Sequence, residues 1–462
     1  MCRPQNKVDL VDWKSILPFL NIFGAVPAGL RPTRIALAFV LLLTVVAVGR
    51  IWDGFAPPTS SPDGLFAGPI REKQLVDAQE SVRAVLIPVL LQEQRAQAQT
   101  ASLDQLETLL GDAIRVSTAN PIEPARYSSL MRMIDAARPR SSFEALNEAV
   151  RTSFYGLISS VSRADFPTAL GAAKALMIGV PIESWACAPY FTIFYAVVCI
   201  VVFGWGGGIL CRLSAGDLSS HGWSFNQASD FIRPRFSSLV CAPLFALALG
   251  FALWIPAWLI GVLTNLPIFD VVGGALFGVA LISAALSALV IVVLLLGLPL
   301  IAPAVACDGC DAVESIQRAG AYIIARPLHL LWYACISLIV IALGTLVADF
   351  AATAAWSFTV AAYGSASSSS VLSNVGILRF LEPYQSAPPA ILGLSQSLTA
   401  LLIDMWRTVL CLTIGACALS IGFSCATRSY LFVRFNSDGQ DVCDLWEDSS
   451  SDPTTRQPKT TD

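Results

Sequence analysis

Two cysteines, Cys307 and Cys310, form the pattern in this sequence that is most suggestive of metal or thiol chemistry. A structural zinc site needs four ligands, commonly two Cys-x-x-Cys pairs or one such pair with two histidines. The chain has no second Cys-x-x-Cys, and its two histidines, His221 and His329, are far apart in sequence. We therefore predict that both cysteines are small buried residues at a turn, with zinc binding or redox function as the alternative. We predict no metal, no cofactor and no catalytic residue.

An oppositely charged pair, Asp404 and Arg407, lies three residues apart on a predicted helix. Side chains at this spacing share one face of a helix and can form an ion pair. The simpler interpretation is a pair that marks where the helix leaves the lipid, and the alternative is a role in gating.

Glycines recur at short spacing in two apolar runs, at Gly204 and Gly206 to Gly208 and then as Gly274-x-x-x-Gly278. Small residues four positions apart let helix backbones approach closely. These positions therefore predict helix contacts, and a broken helix that lines a path is the alternative.

The motifs of the common enzyme classes are missing from this sequence. It has no His-Glu-x-x-His, no Walker loop and no Gly-x-Ser-x-Gly, which are the patterns of zinc proteases, nucleotide hydrolases and serine hydrolases. Its 29 basic residues form no stripe interleaved with aromatics, so we predict no nucleic-acid partner. The sequence therefore gives no support for an enzyme.

The hydropathy of the chain predicts the secondary-structure elements that carry these residues. Of the 462 residues, 55% are apolar and 13% are charged, and the mean hydropathy is +0.65. An ordinary soluble domain has about 25% charged residues. Because the apolar residues cluster in long uncharged runs, we predict an all-α, polytopic membrane protein whose solvent is largely the lipid bilayer.

Six apolar runs are long enough, or nearly so, to cross a bilayer, which takes about twenty residues for roughly 30 Å of hydrocarbon. The first run, Ile35 to Gly49, is the shortest, and Ile51 and Trp52 extend it. The others are Pro189 to Leu210, Leu239 to Leu263, Val271 to Ala306, Pro327 to Ala348 and Thr408 to Thr427. A cleaved signal peptide is the alternative for the first run, although a long polar arm precedes it and no Ala-x-Ala site follows.

The run from Val271 to Ala306 is too long for one crossing and too short for a comfortable pair of crossings. We interpret it as one span that Gly297, Pro299 and Pro303 break near its end, because proline removes a backbone donor and clashes with the preceding turn. A hairpin of two spans is the alternative, and it would move the C-terminus to the other side of the membrane.

Basic residues in the short polar segments predict the orientation, because such residues are retained in the cytoplasm. They occur in the N-terminal arm, after the second and fourth spans and after the last span; examples are Arg31, Arg34, Arg212, Arg233, Arg235, Arg318, Arg326, Arg428 and Arg434. The segment from Asp349 to Met405 has only Arg379. With an even number of spans, both termini are predicted to lie in the cytoplasm of a bacterial inner membrane.

The polar stretch of residues 53–188 is predicted to be an exported helical insertion between the first and second spans. Ser102 with Gln105, and Ser141 with Glu144, fit capping boxes. An apolar stripe at helical spacing then follows: Phe143, Leu146, Val150, Phe154, Leu157 and Val161. We predict an autonomous or nearly autonomous bundle of helices over residues 70–180, whose surface is the candidate contact for a protein partner.

The chain is thereby divided into five parts. Residues 1–34 form a cytoplasmic amphipathic arm, residues 35–52 the first transmembrane helix and residues 53–188 the insertion. Residues 189–435 hold five transmembrane helices with interfacial helices between them. Residues 436–462, with seven acidic and two basic side chains, are predicted to be a disordered tail, and an acidic docking segment is the alternative.

Three stretches carry a resemblance to a known group: Arg34 to Asp53, Cys310 to Pro327, and Tyr430 to Gly439. Together they resemble a group of multi-pass membrane proteins of planctomycete-type bacteria with no established activity. Members share such an arm, an exported helical insertion and an Asp-Ala...Ser...Arg...Tyr...Arg-Pro helix before a span. The similarity covers most of the membrane part and little of the insertion, and cysteines replace some expected polar or aromatic residues near Cys307. The resemblance implies a topology and no catalytic residue.

Two functional classes fit these features. The first is a non-enzymatic membrane scaffold or assembly component whose insertion meets a partner. The second is a transporter or channel-like protein with a path lined by the glycine-rich helices. Transporters usually carry a charged side chain inside the bilayer, and the six runs carry none, so the first class is favoured. The sequence assigns no substrate and no oligomeric state.

Overall fold

The computed structural model describes residues 18–90, 94–116, 129–131, 133–134, 136–219, 221–265, 269–366 and 394–447. This part of the chain is almost entirely helical and has no strand, and six of its helices are long and apolar enough to cross a membrane. The prediction of an all-α polytopic protein with six transmembrane helices is confirmed.

The helices follow the hydropathy of the sequence. A 3-10 turn at Pro18–Gly24 leads into α1 (Ala25–Gly29) and the first membrane-crossing helix, α2 (Pro32–Phe55). The insertion contributes α3 (Glu72–Leu86), α4 (Arg95–Ala98), α5 (Leu103–Val116), α6 (Ser142–Ser162), α7 (Phe166–Lys174) and α8 (Val180–Cys187). The remaining helices are α9 (Pro189–Ser219), α10 (Phe225–Ile232), α11 (Phe236–Leu263), α12 (Phe269–Ala275), α13 (Phe277–Asp308), α14 (Ala312–Ala325), α15 (Pro327–Ala366) and α16 (Leu394–Asp438).

Most of the fourth apolar run forms one long helix, as predicted. The interruption, however, lies near the N-terminal end of the run and not near its C-terminal end. α13 is 32 residues long and continues through Pro299 and Pro303 to Asp308. The interruption lies instead at Leu276, between α12 and α13. At 1.5 Å per residue, α13 is roughly 48 Å long, which is enough for a single crossing with a protruding end. A proline inside a membrane helix is tolerated where neighbouring groups satisfy the freed carbonyl.

The chain divides into two compact units, of which the first comprises residues 1–41, 198–344 and 416–462. Its core combines the apolar side chains of α13 to α16 with the short N-terminal elements. Gly29 lies directly against the backbone of Ile421, and the Ser420 hydroxyl donates to the Gly29 carbonyl at 2.8 Å. The segment before α2 is therefore packed into this unit and is not a free arm where the structure describes it.

The second unit comprises residues 42–197 and 345–415, and it contains the described part of the insertion. One apolar cluster joins α3 and α5 to Leu130, Met131, Ile134 and Ala137. Leu106 and Ile134 are fully buried there. Another cluster joins α6 to the ends of α2 and α9 through Phe143, Trp52 and Phe191. Only part of the insertion therefore has a core of its own, because α6 packs on helices that cross the membrane.

The first predicted capping box is present at the start of α5. The Ser102 hydroxyl accepts from the backbone N–H of Gln105 at 3.3 Å, and the Gln105 side chain accepts from the N–H of Ser102 at 2.9 Å. Each side chain thereby satisfies one of the backbone donors that a helix start leaves unpaired.

The second predicted capping box is replaced by a carboxylate from another helix. Asp53, near the end of α2, accepts from the Ser141 hydroxyl at 2.6 Å and from the backbone N–H groups of Phe143 at 2.9 Å and Glu144 at 3.1 Å. A carboxylate is a stronger acceptor than a hydroxyl and is also favoured by the helix dipole at this end. The prediction that Ser141 caps α6 is therefore wrong.

The buried face of α6 is rotated relative to the predicted stripe. Phe143, Leu146 and Leu157 are buried as expected, whereas Val150 is exposed and Phe154 is only partly buried. Ile158 is fully buried instead. The predicted stripe assumes that α6 packs on one side only. In the structure, α6 packs both on α7 and on the ends of α2 and α9.

The predicted tail boundary at residue 436 falls inside α16, which ends at Asp438. Residues 439–447 follow α16 and contact the rest of the first unit. One of these contacts is a hydrogen bond of 2.8 Å from the Trp446 N–H to the Cys307 carbonyl. The rest of the predicted tail, the first seventeen residues of the predicted arm and Arg379 lie outside the described residues.

Candidate functional site

The Cys-x-x-Cys pair lies where α13 ends and α14 begins. Asp308, between the two cysteines, has the most deeply buried carboxylate at this turn. α13 ends because Gly309 adopts a left-handed conformation with φ of 67°, which glycine reaches without a steric penalty. α14 begins because the Asp311 side chain accepts from the N–H of Glu314 at 2.8 Å, as an N-cap residue does. These two signals fix the position of Asp308 at the end of α13.

The Asp308 carboxylate is bound by three side chains, and we call these four residues the Asp308 cluster. One oxygen accepts from the Arg434 guanidinium, while the other accepts from Arg318 at 2.6 Å and from the Tyr430 hydroxyl. Arg434 and Tyr430 both lie on α16, four positions apart and thus on one face of it. These three donors occupy three of the roughly four acceptor positions of a carboxylate, and the two arginines among them compensate its charge.

Arg434 also binds the chain that follows α16. Its second terminal nitrogen donates to the carbonyls of Asp441 at 2.8 Å and Asp444 at 2.6 Å. The Arg434 side chain is only 2% exposed and that of Asp308 only 6%. Burial of a charge is costly unless it is paired and hydrogen-bonded, and this pair meets both conditions except at Arg434 Nε, which has no hydrogen-bond partner among the described residues.

Another arginine, Arg212 of α9, also binds the segment that follows α16. Its guanidinium donates to the carbonyl of Ala306 at 3.0 Å and to that of Trp446 at 2.7 Å. It also lies over the rings of Trp223 at 3.6 Å and Phe231 at 3.8 Å. Arg212 therefore joins α9, α10, the end of α13 and residues 439–447, using both hydrogen bonds and cation–π contacts.

Tyr322 of α14 adds a neutral partner to these charged groups. Its hydroxyl donates to the Asp438 carboxylate at 2.5 Å, and its ring lies 5.8 Å from that of Tyr430 in an edge-on arrangement. Burial, followed by the hydrogen bond and the charge of Asp438, raises the pKa of Tyr322 well above its usual range. The phenol therefore remains protonated at neutral pH and acts as a hydrogen-bond donor.

Both cysteines of the predicted pair are buried beside the Asp308 cluster. Burial raises the pKa of the Cys310 thiol to about 12, although the positive charge of Arg318 opposes the shift. Because the thiolate is the nucleophile and the metal ligand, this thiol is unreactive at neutral pH. Within the described ranges, no three His, Cys, Asp or Glu side chains are arranged to hold a metal ion.

A second buried ion cluster lies at the start of α2. Arg34 donates to Asp217 at 2.7 Å and to the carbonyls of Ala28 and Leu213, each at 2.8 Å. Arg31 reaches the other oxygen of Asp217 at 2.6 Å. Sequence reasoning treated these arginines as orientation signals only, but they also tie α2 to the end of α9.

The predicted pair of Asp404 and Arg407 is present, with nitrogen and oxygen 2.6 Å apart. Asp404 is largely exposed, so the pair contributes little to stability, as most exposed ion pairs do.

The glycines of α9 are in helix contacts, whereas the predicted Gly274 and Gly278 motif is not. A methyl group added at Gly206 would overlap Leu41, one at Gly207 would overlap the ring of Phe423, and one at Gly208 would lie 2.8 Å from Leu239. Nothing lies within 4 Å of the same position at Gly274 or Gly278. The spacing of glycines in the sequence therefore does not distinguish glycines in a helix contact from glycines on an exposed face.

The Asp308 cluster itself was not predicted from the sequence. One signal was available, because Tyr430 and Arg434 are spaced to share a helix face, but their partner lies more than a hundred positions away. Two of the stretches named above, Cys310 to Pro327 and Tyr430 to Gly439, meet here through Arg318 and Tyr322 on one side and Tyr430, Arg434 and Asp438 on the other.

Comparison of the chain with protein-family models, with curated protein sequences and with solved structures finds no match.

Proposed function

We propose that this chain is a non-enzymatic scaffold or assembly component of a bacterial inner membrane. The observation that supports this proposal is that Arg434, Arg318 and Tyr430 occupy three of the roughly four acceptor positions of the buried Asp308 carboxylate. A general base or proton relay must lie within reach of the proton that it moves, and the Asp308 side chain is only 6% exposed. This buried carboxylate is instead used to hold helices and the segment after α16 together.

The insertion is the proposed contact for a protein partner, on the outer side of the membrane. The charge bias of the short segments supports this orientation, with both termini in the cytoplasm. A membrane-impermeant maleimide applied to intact cells should then modify a cysteine placed at Gln99, which is exposed on the insertion, and should spare the exposed Cys443. Modification of Cys443 from outside would show that the orientation is the reverse of the proposed one.

A transporter or channel remains the alternative proposal, with the glycine-rich part of α9 lining the path. The side chains of Leu41 and Phe423 count against it, because they fill the space beside Gly206 and Gly207. A path would need this face of α9 to be open.

The partner can be tested by photo-crosslinking in cells with the full chain. A photoreactive amino acid is placed at Val76 or Val85, both exposed on α3 of the insertion, and at Trp254 of α11 as the control. The proposal expects one and the same protein adduct at both α3 positions and no such adduct at Trp254. Absence of any adduct on α3, or ion flux through the purified protein in vesicles, would count against the scaffold and in favour of the alternative.

A further inference from the structure

The last part of the insertion is a continuous helical stretch, residues 166–187, which we call the 166–187 helix. It consists of α7, one π turn at Ala175–Gly179 and α8, with helical backbone throughout. The π turn has a local cause, since Pro181 has no N–H and its ring crowds the carbonyl one turn earlier. The Asp165 side chain caps the start by accepting from the N–H of Thr168 at 3.3 Å.

One face of this helix is packed and the other is not. Ala169, Val180 and Ser184 are buried, and Val180 belongs to the apolar cluster of Phe143. The opposite face exposes large apolar side chains: Phe166, Leu170, Met177, Ile178, Ile182 and Trp185. Leu170 is 73% exposed and Ile182 is 59% exposed. Soluble proteins rarely leave an apolar patch of this kind uncovered.

The position of this face along the chain limits what can cover it. A single non-helical residue, Ala188, separates the end of α8 from Pro189, where the membrane-crossing helix α9 begins. Consecutive Cα atoms are about 3.8 Å apart. The C-terminal end of the 166–187 helix, including Trp185, is therefore tied to the start of a membrane-crossing helix by a connection too short to carry it far away.

The composition of the face also matches a lipid interface. Along the chain, the next exposed large apolar side chains are Tyr190, Ile193 and Phe194 of α9, and no charged residue lies between Trp185 and Phe194. Lys174 and Glu183 are the only charged residues of the 166–187 helix. Tyrosine and tryptophan favour the membrane interface, and a lysine on an apolar face can extend its amine to the headgroup region. A protein interface would be expected to carry a more complete polar rim.

We infer that the 166–187 helix lies in the membrane interface, with the face of Leu170, Ile182 and Trp185 inserted among the lipids of the leaflet at which α9 begins. Helices of this kind bury one apolar face in the headgroup and acyl boundary. The helix then anchors the insertion to the membrane surface, whichever side of the membrane that is. Its occupant is the phospholipid, and neither a second copy of the chain nor another protein.

The first test uses the wild-type chain in nanodiscs that hold one copy, made of phosphatidylcholine and phosphatidylglycerol. A fraction of the phospholipid carries a photoreactive diazirine in the upper acyl chain, and adducts are located by peptide mass spectrometry. We expect lipid adducts on peptides from residues 166–187, as on α9, and none on peptides from residues 94–106. Adducts on α9 without any on residues 166–187 would overturn the inference.

The second test measures the reaction of a charged maleimide with cysteines introduced in the same nanodiscs. Leu170→Cys is compared with Gln99→Cys, since both positions are exposed to the same solvent if no lipid covers them. An apolar medium disfavours the thiolate, so Leu170→Cys should react at least about tenfold more slowly. Ile182→Cys provides the same comparison if the first variant does not fold. Equal rates, or protection without lipid adducts, would contradict the lipid assignment.

Discussion

The Asp308 cluster and the apolar cluster of the insertion hold their parts of the chain together by different means. Around Asp308, a buried ion pair and directed hydrogen bonds connect α13, α14 and α16. In the insertion, Leu106 and Ile134 are fully buried in a cluster made of apolar side chains. The first arrangement depends on a few specific partners, whereas the second depends on how much apolar surface is removed from water.

The difference follows from the surroundings of each region. A membrane helix gains little from apolar contact with other helices, because the lipid is equally apolar, so polar contacts and close packing specify which helices meet. The helices of the apolar cluster of the insertion, α3 and α5, carry polar side chains on their exposed faces, and burying their apolar faces stabilises them directly. We therefore expect loss of a single group to be more damaging at Asp308 than at most positions of the insertion.

The largest effect is expected for Asp308→Asn. It removes the negative partner of Arg434, which is only 2% exposed, and an unpaired buried charge costs about 3–5 kcal/mol. The free energy of unfolding in mixed detergent micelles should fall by this amount. Asp444→Asn is the matched control, because it makes the same chemical change at an exposed side chain and keeps the carbonyl that Arg434 binds. Similar stability of the two variants would show that the Asp308 pair is not structural.

A smaller loss, about 3 kcal/mol, is expected for Leu106→Ala in the insertion, from the lost transfer free energy and the cavity left behind. Leu106 is fully buried. Hydrogen exchange should show the loss of protection in α3 and α5 and leave α13 and α16 unchanged. Val76→Ala on the exposed side of α3 should have almost no effect. Loss of protection in α16 would indicate that the two regions unfold together.

Helix caps should produce effects of about 1–2 kcal/mol. Asp53→Ala should destabilise α6 more than Ser141→Ala, because the Asp53 carboxylate accepts from the Phe143 and Glu144 N–H groups. Hydrogen exchange at the start of α6 is the measurement. Faster hydrogen exchange at the start of α6 in Ser141→Ala than in Asp53→Ala would support the capping box that the sequence predicted.

The smallest effect is expected for modification of the cysteine pair. In the purified protein at neutral pH, a maleimide should react with the exposed Cys443 and hardly at all with Cys310, whose thiol has its pKa raised to about 12 by burial. The thiolate fraction, and with it the rate at Cys310, should rise as the pH approaches that pKa. Release of stoichiometric zinc on modification of Cys307 and Cys310 would instead establish the zinc site that is the alternative for this pair.

The parts of the fold that the sequence predicted are those set by hydropathy and local spacing. Six membrane-crossing helices follow from uncharged runs, and the Ser102 cap follows from a pattern four residues long. The Asp308 cluster could not be predicted in this way, because Asp308 and Arg434 are 126 positions apart and only the fold brings them together. The same holds for Asp53, whose partner helix begins at Ser142.

Two errors had a common physical origin. The break expected at Pro299 and Pro303 is absent, and Phe154 is less buried than its place in the stripe suggested. In both cases the local pattern was overridden by packing against neighbouring helices, which a single sequence does not display. Phe154→Asp should accordingly cost less than the several kcal/mol that a fully buried charge would, and Ile158→Asp should cost more.

The central claim, that Asp308 and Arg434 act as a structural pair, is tested most directly by a double-mutant cycle. The free energy of unfolding is measured for the wild type, Asp308→Asn, Arg434→Gln and the double variant in the same detergent. We predict that the double variant loses less stability than the sum of the single losses, by at least about 2 kcal/mol, since neither buried charge is then left alone. Additive losses, or single variants as stable as the wild type, would contradict the claim.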